Sequence, residues 1–180
     1  MKQFLFSLAL ILGAISVMGQ AQVKYFSDKN KSTIEYSMNH PLHSWTGVSS
    51  DFTSVILANE AKTEISQVAV SAKISTFDSK NANRDSHTME VTEALKYPSV
   101  TFASTAIAKD GENKLQVSGV LTFHGVNKNI TFEAEQKNNG KSLEINGGFT
   151  IKMTDYNIER PSLMGIAADD DIKIKFKVIF

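Results

Sequence analysis

From residue 32 onward the chain alternates apolar and polar positions with a period of two. Ile34, Tyr36 and Met38 interleave with Thr33, Glu35 and Ser37, and Val68, Val70, Ala72 and Ile74 with polar or small neighbours. The same rhythm carries Leu115, Val117, Gly119, Leu121 and Phe123, then Ile130, Phe132 and Ala134, then Leu143, Ile145, Phe149, Ile151 and Met153. It is cleanest at the end, where Ile172, Ile174, Phe176, Val178 and Phe180 oppose Lys173, Lys175 and Lys177. Successive strand side chains point to opposite faces, so this pattern predicts antiparallel strands with one buried and one wet face. The intervening segments 109–113, 125–128 and 138–141 are rich in Gly, Asn and Asp, which is turn chemistry. Eight or nine short strands at this spacing predict an all-β sandwich or barrel.

One segment breaks the rhythm. Asn83-Arg84-Asp85-Ser86-His87 leads into Met89, Val91, Ala94 and Leu95, a short apolar stripe at helical spacing, and Pro98 follows. Ser86 is the expected N-cap, with Asp85 and Glu90 in support, and Pro98 the stop, giving a helix over about residues 86–96. So short a helix is marginal alone and must dock, as a plug or lid at the end of the sheet.

The first 21 residues read as a secretory leader: Lys2, an apolar run from Phe4 to Val17, and small residues at Gly19 and Ala21, after either of which a cut is expected. That run is too short for a comfortable membrane span. The expected organisation is therefore a signal peptide over 1–21 and one domain over 22–180, exported to the periplasm or outside the cell, with no span in the mature form. Cys is absent, which excludes disulfides and thiolate chemistry. Lys plus Arg number 19 and Asp plus Glu 19; losing Lys2 leaves 18 against 19, a net charge of −1. No basic patch stands out, which argues against nucleic acid as a partner.

Five stretches together resemble the YceI-like family of secreted bacterial proteins. They are residues 32–47 (STIEYSMNHPLHSWTG), 83–87 (NRDSH), 97–102 (YPSVTF), 117–128 (VSGVLTFHGVNK) and 151–158 (IKMTDYNI). The resemblance covers essentially the whole mature chain. It implies a lipocalin-like antiparallel eight-stranded β-barrel with one short helix. It also implies a binding role rather than an enzymatic one, with a long-chain isoprenoid lipid, of quinone or polyprenyl type, as partner and no other cofactor. A family-style homodimer is left open. The segment between Glu159 and Asp171 is acidic and departs from the family's pattern.

Arg84, Asp85, Ser86 and His87 are the residue types of a hydrolytic triad, but neighbours in sequence rarely converge on one reacting atom. Helix capping and an Arg84–Asp85 pair explain them more simply. His40 and His43 are separated by Pro41 and lack an acidic partner at motif spacing, so no metal site is expected. Phe is frequent, with 11 residues, and Phe102, Phe123, Phe132, Phe149 and Phe176 fall on inward positions beside Leu121. Gly119, Gly147, Ala72 and Ala134 interleave with them and are expected to leave room along the axis. The expected lipid contacts are these five Phe and Leu121 along the tail, with Met89, and His40, Trp45, Arg84 and His87 at the mouth around the head group. Two alternatives stay open: a small enzyme using His87 or His40 as general base on a hydrophobic substrate, and a side-chain-filled barrel with a structural or partner-binding role.

Overall fold

The structure, a computed structural model, describes residues 21–180. The expected leader lies, apart from Ala21, outside the described residues. In chain order the elements are β1 (Val23–Phe26), β2 (Thr33–His40), β3 (His43–Ser49), β4 (Phe52–Ala58) and β5 (Ile65–Lys73), then the helix α1 (Ala82–Val91). After it come β6 (Ser99–Lys109), β7 (Lys114–Phe123), β8 (Val126–Asn138), β9 (Leu143–Lys152), the short pair β10 (Ser162–Leu163) and β11 (Ile166–Ala167), and β12 (Asp171–Ile179).

The main sheet has the order β1-β4-β5-β6-β7-β8-β9-β12-β2-β3. Every pairing in it is antiparallel, so the expected class holds. It contains ten strands rather than eight. The excess has a local cause. Pro41 and Leu42 form a two-residue turn that pairs His40 with His43, doubling one segment into a hairpin, and β1 adds to the edge of β4. β12 lies between β9 and β2, so the last strand joins the two halves. The sheet curls until its edges approach: Val48 and Asp78 exchange backbone hydrogen bonds of 3.1 and 3.0 Å, and Asp28 N donates to Ile179 O at 2.8 Å.

Register makes the inner face continuous. Phe176 lies opposite Gly147 on one side and Ile34 on the other; Ile174 lies opposite Phe149 and Tyr36. Bulges correct the phase where the strict alternation would fail. A register shift between Ser104 and Ala106 lets β6 present Val100 and Phe102 and then Ile107 to the same interior.

The helix begins earlier than residue 86 and ends earlier than 96. Asn81, not Ser86, is the N-cap: its side chain accepts from Arg84 N at 3.1 Å. Asn outcompetes Ser86 because the Asp85 carboxylate is already engaged four residues upstream of Met89, accepting from Ser79 N at 3.1 Å and so bending the chain into the first turn. Pro98 is not the terminator either. Glu93 adopts a left-handed φ of 46° and its carbonyl accepts from both Lys96 N and Tyr97 N at 2.8 Å, closing the turn before the proline. Leu95 consequently leaves the apolar stripe and stands 99% exposed.

Candidate ligand cavity and its mouth

A cavity of about 580 Å³ runs through the barrel. Its walls come from the inward positions of the strands. At one end, the floor, Ile56 is fully buried and Phe180 and Val178 pack with Phe52 and Leu143. There Leu143 and Phe180 exchange backbone hydrogen bonds of 2.9 and 2.8 Å. The β4–β5 and β8–β9 turns are tied together across the same end, with Asn138 Nδ2 donating to Ala61 O at 2.8 Å and Lys62 Nζ to Phe180 O at 3.2 Å.

Midway up, the inward side chains are Phe132, Phe149, Phe176, Ile145, Ile174, Val68 and Val70. All of them are only partly buried although each lies within a strand of the main sheet. Their free surface faces the lumen. The rings touch one another along the wall: Phe132 stacks on Phe149 at 5.1 Å between centroids, and meets Phe102 at 5.5 Å and Phe176 at 5.7 Å.

The small residues act differently from the expectation. Gly119 and Gly147 do not hold empty space along the axis. A Cβ on Gly147 would collide with the Phe176 ring, and one on Gly119 with the Phe102 ring. Each glycine is the seat for a neighbouring phenyl ring, which lies down against the sheet. The lumen stays open because the rings are flat, and the rings are flat because the glycines have no side chain.

The exposed members of the lining mark the mouth. They are Asn81, Asn83 and His87 around α1, His43 at the β2–β3 turn, and Ser162 and Leu163 of β10. The helix thus covers one edge of the opening as expected, and a hairpin not foreseen from sequence covers another. His40 fixes that hairpin. Its Nδ1 accepts from Leu42 N at 3.2 Å, so Nε2 carries the proton and donates to Ile166 O at 2.9 Å. Both ring nitrogens of this buried histidine are therefore engaged.

Arg84 lines the mouth with its guanidinium carbon 5.6 Å from the centroid of the Trp45 ring. The expected Arg84–Asp85 pair does not form. Asp85 turns to the Ser79 amide, while Arg84 Nη1 makes long contacts of 3.4 and 3.5 Å to the Ser79 carbonyl and hydroxyl. Among the described residues Arg84 is in no ion pair. His87 sits 3.5 Å from the Glu90 carboxylate, and Asp85 and His87 thus serve different partners, so the triad residue types do not converge. His40, His43 and Trp45 form a run of rings, each 5.4 Å from the next.

Of the residues expected to contact a ligand, His40, Trp45, Arg84, His87, Phe102, Leu121, Phe123, Phe132, Phe149 and Phe176 all line the cavity. Met89 does not; it packs on the main hydrophobic core instead, one step round the helix from Thr88. Tyr36, not among the expected contacts, also lines the cavity. It is a buried wall residue whose hydroxyl lies near Thr88, Trp45, Arg84 and Asp85, and burial raises its pKa above the usual tyrosine value. It therefore stays a neutral phenol.

The sequence pattern of the YceI-like domain family matches residues 25–180. The chain belongs to the YceI-like family. A UPF0312 protein of Pseudomonas putida (strain GB-1) is 32% identical over 180 residues, covering 93% of this chain and 94% of its own length. Another, from Pseudomonas fluorescens (strain SBW25), is 30% identical and covers 97% of each chain. Among solved structures, Burkholderia cenocepacia BcnA superposes with a TM-score of 0.76 at 24% identity, over 86% of this chain and 99% of that one. A polyisoprenoid binding domain from Saccharophagus degradans superposes with a TM-score of 0.66 at 14% identity, over 86% and 96%. At those identities the two structures establish the shared fold. For a YceI-like barrel the outer face is also informative: Lys173, Lys175 and Lys177 stand exposed along β12, where a membrane-spanning barrel would need an apolar band.

Proposed function

We propose that this YceI-like protein is an exported carrier, in the periplasm or outside the cell, that holds a long-chain isoprenoid lipid of quinone or polyprenyl type. The tail lies in the lumen and the head group at the mouth. The observation that carries the reading is the half-exposed row of phenyl rings and aliphatic side chains facing a lumen of about 580 Å³. Apolar surface left facing a void is a standing cost that an apolar ligand removes, and the volume falls in the range of small-molecule sites. Each buried methylene contributes roughly 0.8 kcal/mol, so about ten such groups would supply roughly 8 kcal/mol, enough for micromolar binding before the cost of immobilisation.

The mouth supplies few but suitable polar groups. Arg84 offers guanidinium donors not taken by a carboxylate, Trp45 a flat wall, Tyr36 a neutral hydroxyl, and His87 an exposed ring. Such a set suits a head group carrying carbonyl, hydroxyl or phosphate oxygens. The filled-barrel alternative has no support in a lumen of this size. The general-base alternative gains nothing from His40, whose two nitrogens are both occupied.

Purification without detergent, followed by solvent extraction and mass spectrometry, tests the reading. A long-chain isoprenoid near stoichiometric amount is the expected result. A barrel devoid of any long-chain lipid in every preparation would overturn it.

A further inference from the structure

The hairpin pinned by His40 has an unusual tip. Leu163 and Ile166 pair across it, and the two residues between them, Met164 and Gly165, both have positive φ, 55° and 78°. A two-residue turn of this kind favours Asn-Gly or Gly-Gly, because a side chain such as that of Met is strained at positive φ. Met164 is nevertheless 88% exposed, with Leu163 at 47% and Ile166 at 43%. Leu42, 59% exposed, stands on the turn joined to Ile166 through the His40 ring. Folding explains none of these choices, since a polar residue would fit each exposed position and Asn would fit the turn better.

Their position suggests what they serve. Leu163 belongs both to this exposed tip and to the cavity lining, as does its neighbour Ser162. An apolar path therefore runs unbroken from Met164 through Leu163 into the lumen. Residues 161–167 (PSLMGIA) contain no charged side chain. We propose that the Leu163-Met164-Gly165-Ile166 tip, with Leu42, inserts into the surface of a lipid bilayer and sets the cavity mouth against it, so that a ligand passes between membrane and lumen without crossing water. The inference rests on the carrier reading for the identity of what passes, but the docking itself does not depend on it. A bilayer is the occupant favoured because the path leads to an apolar chain site. The nearest charged side chains, Glu159, Arg160, Asp169 and Asp170, flank the base of the hairpin rather than its tip, Asp171 is paired with Lys152 at 3.0 Å, and none of the acidic groups supplies attraction for an anionic surface. Attachment is thus by apolar contact and insensitive to ionic strength.

The test is flotation of the mature chain, residues 22–180, with vesicles of pure phosphatidylcholine at low and high salt. The protein is expected to float with the vesicles at both. L163S/M164S/I166S should lower the vesicle partition by about tenfold or more, since three exposed apolar side chains are removed. F26S is the control: Phe26 is 63% exposed but lies opposite Val55 on the edge strand β1, apart from the cavity lining and the hairpin, and its replacement should change nothing. Met164→Asn separates membrane contact from folding. It relieves the left-handed strain and should hold or raise the melting temperature while weakening vesicle binding by about threefold. Overturning results are a wild type that stays with the soluble fraction, variants that float as well as wild type, or a dimer in gel filtration that the triple variant disperses without any vesicle effect. The last would assign the tip to a second copy of the chain. If native preparations carry lipid while the tip variants float unchanged, the docking inference fails and the carrier reading stands. If the variants lose flotation but no preparation holds lipid, the carrier reading fails and the docking surface stands.

Discussion

At the floor of the barrel, Leu143 and Phe180 are joined through their backbones, and two turns are tied across the end by Asn138 and Lys62. At the mouth, the helix α1 contributes no buried residue, and the β10–β11 hairpin is tied to β2 by the His40 ring at Ile166 and, at its base, by Asp169 N donating to Asn39 O at 2.8 Å. Both ends cap the same strands. The floor is closed by main-chain bonds and fully buried aliphatic side chains, interactions that cannot open without breaking the sheet. The mouth is covered by elements that bury little side-chain surface and are tied to the sheet by a few main-chain and side-chain bonds. The stability of a protein is not uniform, and the elements that move are drawn from its weakly held parts. The difference teaches that this barrel has one door. On the carrier reading proposed above, ligand traffic belongs to the end where α1 and the hairpin sit, and the floor fixes the depth of the lumen.

The largest effect is expected at the floor. Leu143→Ala removes a side chain with 0% exposure and should cost about 2–5 kcal/mol in denaturant unfolding, whereas exposed mouth positions such as Leu163 should change stability by no more than about 0.5 kcal/mol. Equal costs at the two ends would break the comparison. Next is Gly147→Val in the wall between them. It should drive the Phe176 ring off its seat and into the lumen, lowering the lipid recovered per chain severalfold, with an overpacking cost of about 1–3 kcal/mol. Unchanged lipid content would mean that the ring does not gate the lumen.

The mouth variants sharpen the contrast. Arg84→Ala should weaken a quinone or polyprenyl phosphate by about tenfold, read from quenching of Trp45, while a plain hydrocarbon chain of equal length binds as before. His40→Ala removes the side-chain bond to Ile166 O and leaves only the base of the hairpin tied, through Asp169 N and Asn39 O, so amide exchange should quicken over residues 162–167 and stay unchanged at 143–145. The smallest effect is expected from Tyr156→Phe. The Tyr156 hydroxyl is buried without a hydrogen-bond partner, and burial pushes its pKa up to about 12. Removing it should leave stability unchanged or raise it by about 1 kcal/mol at neutral pH. Because the folded value is raised, the native tyrosine contributes stability that is present below the unfolded value of about 10 and lost as pH rises through 12, so wild type should lose melting temperature over that window more steeply than Tyr156→Phe.

The inward set was legible in the sequence because a strand's side-chain period is fixed. Knowing that Phe176 faces in forces Ile174 and Val178 to face in as well. The cross-strand partners are not legible, since register across β9 and β12 depends on how two distant segments meet, and from sequence alone Gly147 suggests a gap rather than a ring seat. The helix was found but misplaced, because Asn81 and Ser86 are both good caps and the choice falls to Asp85, whose partner Ser79 lies outside the helical pattern. By its alternation Tyr36 is one more inward residue. Its polar neighbourhood is made by α1 folding over the strand, a long-range contact without local signal. The hairpin at 162–167 has no strand-length alternation of its own, since Leu163, Met164 and Ile166 form only a short apolar run between acidic flanks.

Electron density along the barrel axis, in crystals of protein purified without detergent, tests the central claim most directly. The account predicts a continuous branched chain running from between Phe149 and Phe176 to the mouth beside Arg84 and Trp45. A lumen collapsed on itself, with the rings of Phe132, Phe149 and Phe176 meeting across the axis and no chain between them, would contradict it.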